Sequence, residues 1–175
     1  MPAEISSLII EPLAEHHSRG AFCCDNEIID SFMNQRALKD HNDNKVRVRV
    51  AVENGSPIVL GFYSLSLKTL AAKSIQGRIG NKFGKWPIPA VYLSMIATDK
   101  NKQKMGIGST MMYHVFRRTL EIADIAGTAC LALEAVDEEK ASWYESLSFK
   151  RFNPDELGMY IPLATVRAAC DAAEG

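Results

Sequence analysis

The chain has 175 residues, enough for one domain with a full hydrophobic core. Its 47% apolar and 23% charged residues are ordinary for a globular protein, and a formal net charge of −1 excludes a polycation, so a nucleic-acid partner requires a local basic patch. No apolar run reaches membrane-span length, and the N-terminus lacks the basic-then-apolar order of a signal peptide, so a cytoplasmic protein with no membrane partner is expected. Cys23, Cys24, Cys130 and Cys170 fit neither a zinc site nor a disulfide scaffold, His16 and His17 lack metal-ligand companions, and no metal is expected.

In chain order, Leu8 to Leu13 reads as a first strand. Glu27 to Lys39 carries Ile28, Ile29, Phe32, Met33 and Leu38 at mostly helical spacing, with Asp25 or Asn26 as its cap. Val46 to Val52 alternates as a strand with one wet face, Asn54-Gly55 is a hairpin turn signal, and Ile58 to Leu67 is the partner strand, in which Gly61 marks a bulge or a close approach. Lys68 to Pro89 reads as a helical turn and an exposed basic loop, and Val91 to Thr98 as a central strand. Gly106 to Ala126 is the best helix, with Ile107, Met111 and Val115 on one stripe and Gly127 to end it. Ala129 to Ala135 comes next as a strand, Asp137 to Ser146 as a helix with an acidic first turn, and Phe149 to Phe152 with Met159 to Ile161 as a last hairpin. Thr165 to Gly175 is expected to fray. Alternating elements without a linker give one mixed α/β domain spanning residues 1–175.

The richest local signal is Gln103-Lys104-Met105-Gly106-Ile107-Gly108, set between the central strand and the long helix. Glycines let a backbone approach an anion, the first helical turn leaves N–H groups unpaired, and the helix dipole adds positive charge there. A pyrophosphate cradle and a purely structural helix start both fit this hexapeptide. Ser109, in the first turn, either adds a hydroxyl to the cradle or caps the helix.

Together with Leu131-Ala132-Leu133-Glu134-Ala135 and the segment Ala141-Ser142-Trp143-Tyr144 to Ser148-Phe149, the hexapeptide resembles the GNAT superfamily of N-acetyltransferases. Residues 103–108 match that family's Gln/Arg-x-x-Gly-x-Gly/Ala motif. In its later Ala-x-x-Phe-Tyr-x-x-x-Gly-Phe motif, Trp143 replaces Phe, Ser148 replaces Gly, and Tyr144 and Phe149 are kept. The resemblance implies a mostly antiparallel mixed sheet with a V-shaped splay, flanked by helices. It also implies acetyl-CoA as acetyl donor, held by Gln103, Lys104, Met105, Gly106, Ile107, Gly108 and Ser109. Free backbone N–H groups of the splayed strand at Met95, Ile96 and Ala97 would hold the thioester carbonyl and pantetheine, and Tyr144 would be the general acid that protonates the leaving thiolate.

Phe22-Cys23 with Ile29-Asp30-Ser31-Phe32, Gly61-Phe62-Tyr63-Ser64-Leu65 and Ile88-Pro89-Ala90-Val91 further resemble GNAT-type toxins of bacterial type II toxin–antitoxin modules. That resemblance implies acetylation of the α-amino group of aminoacyl-tRNA and arrest of translation. The implied partners are a ribbon-helix-helix antitoxin and a second copy in a homodimer, with operator DNA met only through the antitoxin. Met95 stands where several such toxins carry Arg.

Lys39, Arg47 and Arg49, with Lys73, Arg78, Lys82 and Lys85, are the candidate path for the tRNA backbone; dispersed surface charge is the alternative. Glu134 at a strand end either orients a water or the amine, or is simply solvated, and His114 on the long helix reads as structural or exposed. Two other functions stay open: a GNAT enzyme for a protein N-terminus, ribosomal protein or small amine, and a non-enzymatic acyl-CoA-binding module.

Overall fold

The computed structural model describes residues 7–75 and 77–175; most of Met1 to Ser7, the segment in which no signal peptide is expected, lies outside them. The elements are β1 (Leu8–Pro12), α1 (Glu27–Ser31), a π-helical stretch (Phe32–Arg36), α2 (Ala37–Asn42), β2 (Arg47–Glu53), β3 (Gly61–Leu70), α3 (Arg78–Phe83), β4 (Ile88–Thr98), α4 (Ile107–Ile125), β5 (Cys130–Glu134), α5 (Glu138–Ser146), β6 (Lys150–Arg151), β7 (Gly158–Pro162) and α6 (Leu163–Glu174). The strands form a seven-stranded sheet in the order β1-β2-β3-β4-β5-β7-β6. The β1–β2, β2–β3, β5–β7 and β6–β7 ladders are antiparallel and β4–β5 is parallel, the mixed, mostly antiparallel sheet expected. Among the described residues no helix is long and apolar enough to cross a membrane.

The chain divides into two compact units, Met1–Ser66 with Ser94–His114, and Leu67–Leu93 with Val115–Gly175. In the first, the alternation of β2 buries Val48, Val50 and Val52 against Ile29, Phe32, Met33 and Phe62, and leaves Arg47 and Arg49 on the other face. Phe62 meets Phe22 edge-on at 5.3 Å and stacks on Phe32 at 6.0 Å. The helix expected as one piece over 27–39 is interrupted by the π-helical stretch. Asn26 caps it, its side-chain oxygen accepting from the N–H groups of Ile28 and Ile29. The extra residue in the π turn rotates the face that α2 presents, so Ala37 and His41 are buried and Leu38 is only half-buried.

β3 starts at Gly61, three residues later than expected. Ser56 N–H closes a turn onto Glu53 O at 2.9 Å, Ile58 bridges to Ser18, and the β2–β3 ladder ends at Ala51–Gly61. Gly61 is a close approach, since a Cβ there would lie 2.9 Å from Met111 Cε and 3.0 Å from Ala97 O.

In the second unit, Ile75, Ile88, Ala90, Cys130, Ala132 and Tyr160 form the core, with Ile79 and Phe83 of α3 packed against it. The stretch expected as a basic loop is therefore partly ordered: β3 runs on to Leu70, and a 3-10 turn at Ala72–Ser74 precedes α3. The expected frayed tail is α6, which buries Val166 and Cys170 and pairs Glu174 with Arg117 at 2.7 Å. Its apolar positions recur at helical spacing, which its alanine-rich composition masks.

Candidate active site

In the first unit, β4 ends at Thr98, and residues 99–106 form the turn into α4. Asp99 shapes its start: the carboxylate accepts from Asn101 N–H at 3.0 Å and Cys23 N–H at 3.2 Å, while Lys100 N–H donates to Cys23 O at 2.8 Å. Asp30 accepts from Cys24 N–H at 2.7 Å. Phe22-Cys23 and Asp30 thus brace the turn that leads to the hexapeptide. Within it, Lys104 (φ 61°) and Gly106 (φ 81°) take left-handed backbone conformations, and a Cβ on Gly106 would meet nothing within 4 Å. Ile107 is buried and anchors α4. Thr110 N–H and Oγ1 both donate to Gly106 O, at 3.0 and 2.9 Å. The N–H groups of Ile107, Gly108 and Ser109 belong to the helical turn that finds no partner within its own helix. Gln103, Lys104, Gly106 and Ser109 are exposed, and Met105 and Gly108 are half-buried. These are backbone donors beside exposed residues at the start of a 19-residue helix, the kind of position at which a phosphate group can be bound.

Met95, Ile96 and Ala97 lie on β4, where burial changes character: Ile88, Ala90, Val91 and Leu93 are buried, whereas every residue from Ser94 to Thr98 is half-buried. Among the described residues, the parallel ladder with β5 runs from Ala90–Cys130 to Leu93–Leu133, and β4 continues five residues further, to Thr98. That is where the splay is expected.

In the second unit, α5 is capped by Asp137, whose carboxylate accepts from Lys140 N–H at 2.8 Å. Tyr144 sits on its inner face, only 7% exposed, with the Phe149 ring edge-on at 5.5 Å and Trp143 at 5.0 Å. Burial pushes its hydroxyl well above the usual phenol range, so it holds its proton at neutral pH. Glu134 ends β5, exposed, on a cavity of about 410 Å³ also lined by Lys68, Tyr92, Phe152 and Glu156. The Lys68 ammonium lies 3.7 Å from the centre of the Tyr92 ring.

The seven candidate RNA-contacting residues fall into two groups. Lys39, Arg47 and Arg49 are in the first unit, and Lys73, Arg78, Lys82 and Lys85 in the second. Lys39 is ion-paired to Asp43, and Arg47 donates to Asn44 Oδ1. The members of the second group are all exposed and, among the described residues, form no ion pair. Sequence reasoning passes over Trp86, which is 76% exposed beside Lys85. The signal that marks it is the lack of any Asp or Glu from Asn54 to Thr98.

His16 and His17 do have a companion, Glu11. His17 Nδ1 accepts from Ala14 N–H at 2.9 Å, so its proton sits on Nε2 and is donated to Glu11 at 2.8 Å. His114 Nδ1 lies 2.7 Å from the hydroxyl of the fully buried Tyr63, a structural contact. The cysteines are free thiols; burial is the main cause that pushes Cys24 and Cys130 up to about 12, away from reactivity.

No family model matches the chain. Over 169 residues it is 32% identical to a probable toxin TacT of Sinorhizobium fredii, covering 91% of this chain and 93% of that one. It is 27% identical over 140 residues to a tRNA-acetylating toxin of Mycobacterium tuberculosis, covering 80% and 82%. The fold matches AtaT complexed with acetyl-methionyl-tRNAfMet, with a TM-score of 0.85 and 23% identity over 93% of this chain and 99% of that one. It also matches a tyrosine-to-phenylalanine mutant of AtaT bound to the C-terminus of the antitoxin AtaR and acetyl-CoA, with a TM-score of 0.78 and 23% identity over 94% and 98%.

Proposed function

The chain belongs to the GNAT-type, tRNA-acetylating toxins of toxin–antitoxin modules, and from that premise we propose that it transfers acetyl from acetyl-CoA to the α-amino group of an aminoacyl-tRNA and so blocks translation. The observation that carries the donor half is the turn at 103–108. Its left-handed Lys104 and Gly106 and the first-turn N–H groups of α4 offer a pyrophosphate what a buried helix start would have to satisfy internally. The acceptor half rests on the relatives, and on AtaT being found with acetylated methionyl-tRNA.

Acetyl-CoA supplies an activated acetyl thioester. The acceptor α-amine titrates near 7.7–8.0 in ordinary amines, so a useful fraction is neutral and nucleophilic without a strong base. Backbone N–H groups at Met95 to Ala97 stabilise the charge that develops on the carbonyl oxygen. The C–N bond forms as the C–S bond breaks, the Tyr144 hydroxyl gives its proton to the departing sulfur, and the proton that the attacking nitrogen loses restores the phenol by way of water. A tyrosine held protonated by burial suits that role, and the tyrosine-to-phenylalanine mutant of AtaT is in keeping with it. Gln103 to Ser109 hold the pyrophosphate, and Lys73, Arg78, Lys82 and Lys85 take RNA phosphates. Lys39, already paired, contributes least, and Arg47 and Arg49 add a secondary contact.

The site acts in the cytoplasm, where charged tRNA is found. The protein works as a homodimer and is silenced by a ribbon-helix-helix antitoxin, through which alone it meets operator DNA. Cell-free translation tests the reading: the purified protein halts synthesis when acetyl-CoA is supplied and leaves it running when acetyl-CoA is withheld. Arrest that does not depend on acetyl-CoA would overturn it.

A further inference from the structure

Trp86 is the most exposed aromatic side chain among the described large hydrophobics, at 76%, and its surroundings are unusual for a chain of net charge −1. From Asn54 to Thr98 there is no Asp or Glu, while Lys68, Lys73, Arg78, Lys82 and Lys85 all fall in that stretch. Among the described residues none of these five takes part in an ion pair. Elsewhere Lys39, Lys45, Lys100, Arg117, Arg118 and Arg151 are each paired to a carboxylate.

The local fold holds this set in place. On α3, Ile79 and Phe83 pack inward, so Arg78 and Lys82, one turn apart, share the outward side. A Cβ on Gly80 would lie 1.9 Å from Ile75 O, which seats α3 tightly on the preceding turn. Gly84 N–H donates to Gly80 O and Trp86 N–H to Phe83 O, both at 2.9 Å, so the backbone carrying Lys85 and Trp86 is tied to the helix end. An exposed indole on a braced turn, next to Lys85 in the chain and four residues beyond the exposed Lys82, is complementary to an unpaired nucleobase flanked by phosphates. A paired duplex buries its base faces and offers this surface phosphates only.

We propose that Trp86 is a stacking platform for an unpaired base of the RNA, with Arg78, Lys82 and Lys85 holding the adjacent phosphates. This rests on the reading of the protein as one that acts on tRNA, and adds a base contact to a surface otherwise defined by charge.

The test is equilibrium binding of deacylated tRNA, of a short single-stranded RNA and of a blunt, fully paired RNA duplex to the full chain. Wild type, Trp86→Ala and Trp86→Phe are compared at fixed salt. The expected result is a loss of about 5- to 150-fold for Trp86→Ala on tRNA and single strand, the range for one stacked base. Trp86→Phe should recover most of it, and all forms should bind the duplex alike. Acetyl transfer by Trp86→Ala should show a raised KM for tRNA with kcat little changed. Equal binding of tRNA by wild type and Trp86→Ala would overturn the stacking role, and if that variant also lost antitoxin binding, Trp86 would belong to a protein interface. If the wild type bound no RNA at all, the tRNA reading itself would fall with it.

Discussion

Two basic stretches, residues 39–49 and 68–86, look interchangeable as sequence and differ as structure. In the first, Lys39 is ion-paired with Asp43, Lys45 lies 3.3 Å from Asp40 and 3.9 Å from Asp43, and Arg47 is tied to Asn44. In the second, no carboxylate lies within the stretch, Lys73, Arg78, Lys82 and Lys85 are exposed, and so is the indole of Trp86. Positive residues already neutralised by neighbours have few counterions to release, so they add little to an RNA contact. The count of cations is similar in the two stretches; the absence of anions separates them.

The variant with the largest expected effect divides chemistry from both surfaces. Tyr144→Phe removes the proton donor and keeps the packing against Phe149, so single-turnover acetyl transfer should fall about 10²- to 10⁴-fold while tRNA affinity stays at the wild-type value. A matching fall in affinity would mean that Tyr144 positions RNA and not a proton. Next, replacing Arg78, Lys82 and Lys85 by alanine should flatten the dependence of log K on log salt by about one per cation, and weaken tRNA binding by roughly 10- to 10³-fold at moderate salt. Lys39→Ala with Lys45→Ala should change affinity less than about threefold, because exposed ion pairs contribute little and these cations are already compensated. An effect as large as that of the second stretch would break the comparison.

The smallest effect is a pH dependence confined to the first stretch. His41 is buried, its Nδ1 accepts from Val48 N–H at 3.0 Å, and burial, then Arg47 and Arg49, push its pKa below the ordinary 6.5. The folded state therefore binds fewer protons than the unfolded state just below pH 6.5. Stability should be full above that value, decline as pH falls through it, and level off below the depressed folded value. Denaturant midpoints between pH 7.5 and 5 should show this slope, and His41→Gln should flatten it.

The patterns legible in the sequence are those enforced by a local rule. The alternation of Val48, Val50 and Val52 against Arg47 and Arg49, the glycines at 106 and 108 ahead of a long apolar stripe, and the Asn26 cap each depend on a few adjacent residues. The features that stay hidden depend on partners far away or on negative evidence. The π turn at Phe32–Arg36 shifts which residues face inward without a marker in the composition. The order of residues 71–75 and 77–86 comes from Ile75, Ile79 and Phe83 docking on a distant core. The Lys39–Asp43 pair is an i,i+4 spacing, visible in the sequence, that removes that lysine from the free cations.

The most direct measurement mixes the purified protein with labelled acetyl-CoA and bulk tRNA, either charged or stripped of amino acids, and counts label in the RNA. The account predicts label on charged tRNA alone, released with the amino acid, whose mass then names the acceptor. Label on stripped tRNA, or none on either while acetyl-CoA still binds, would contradict it.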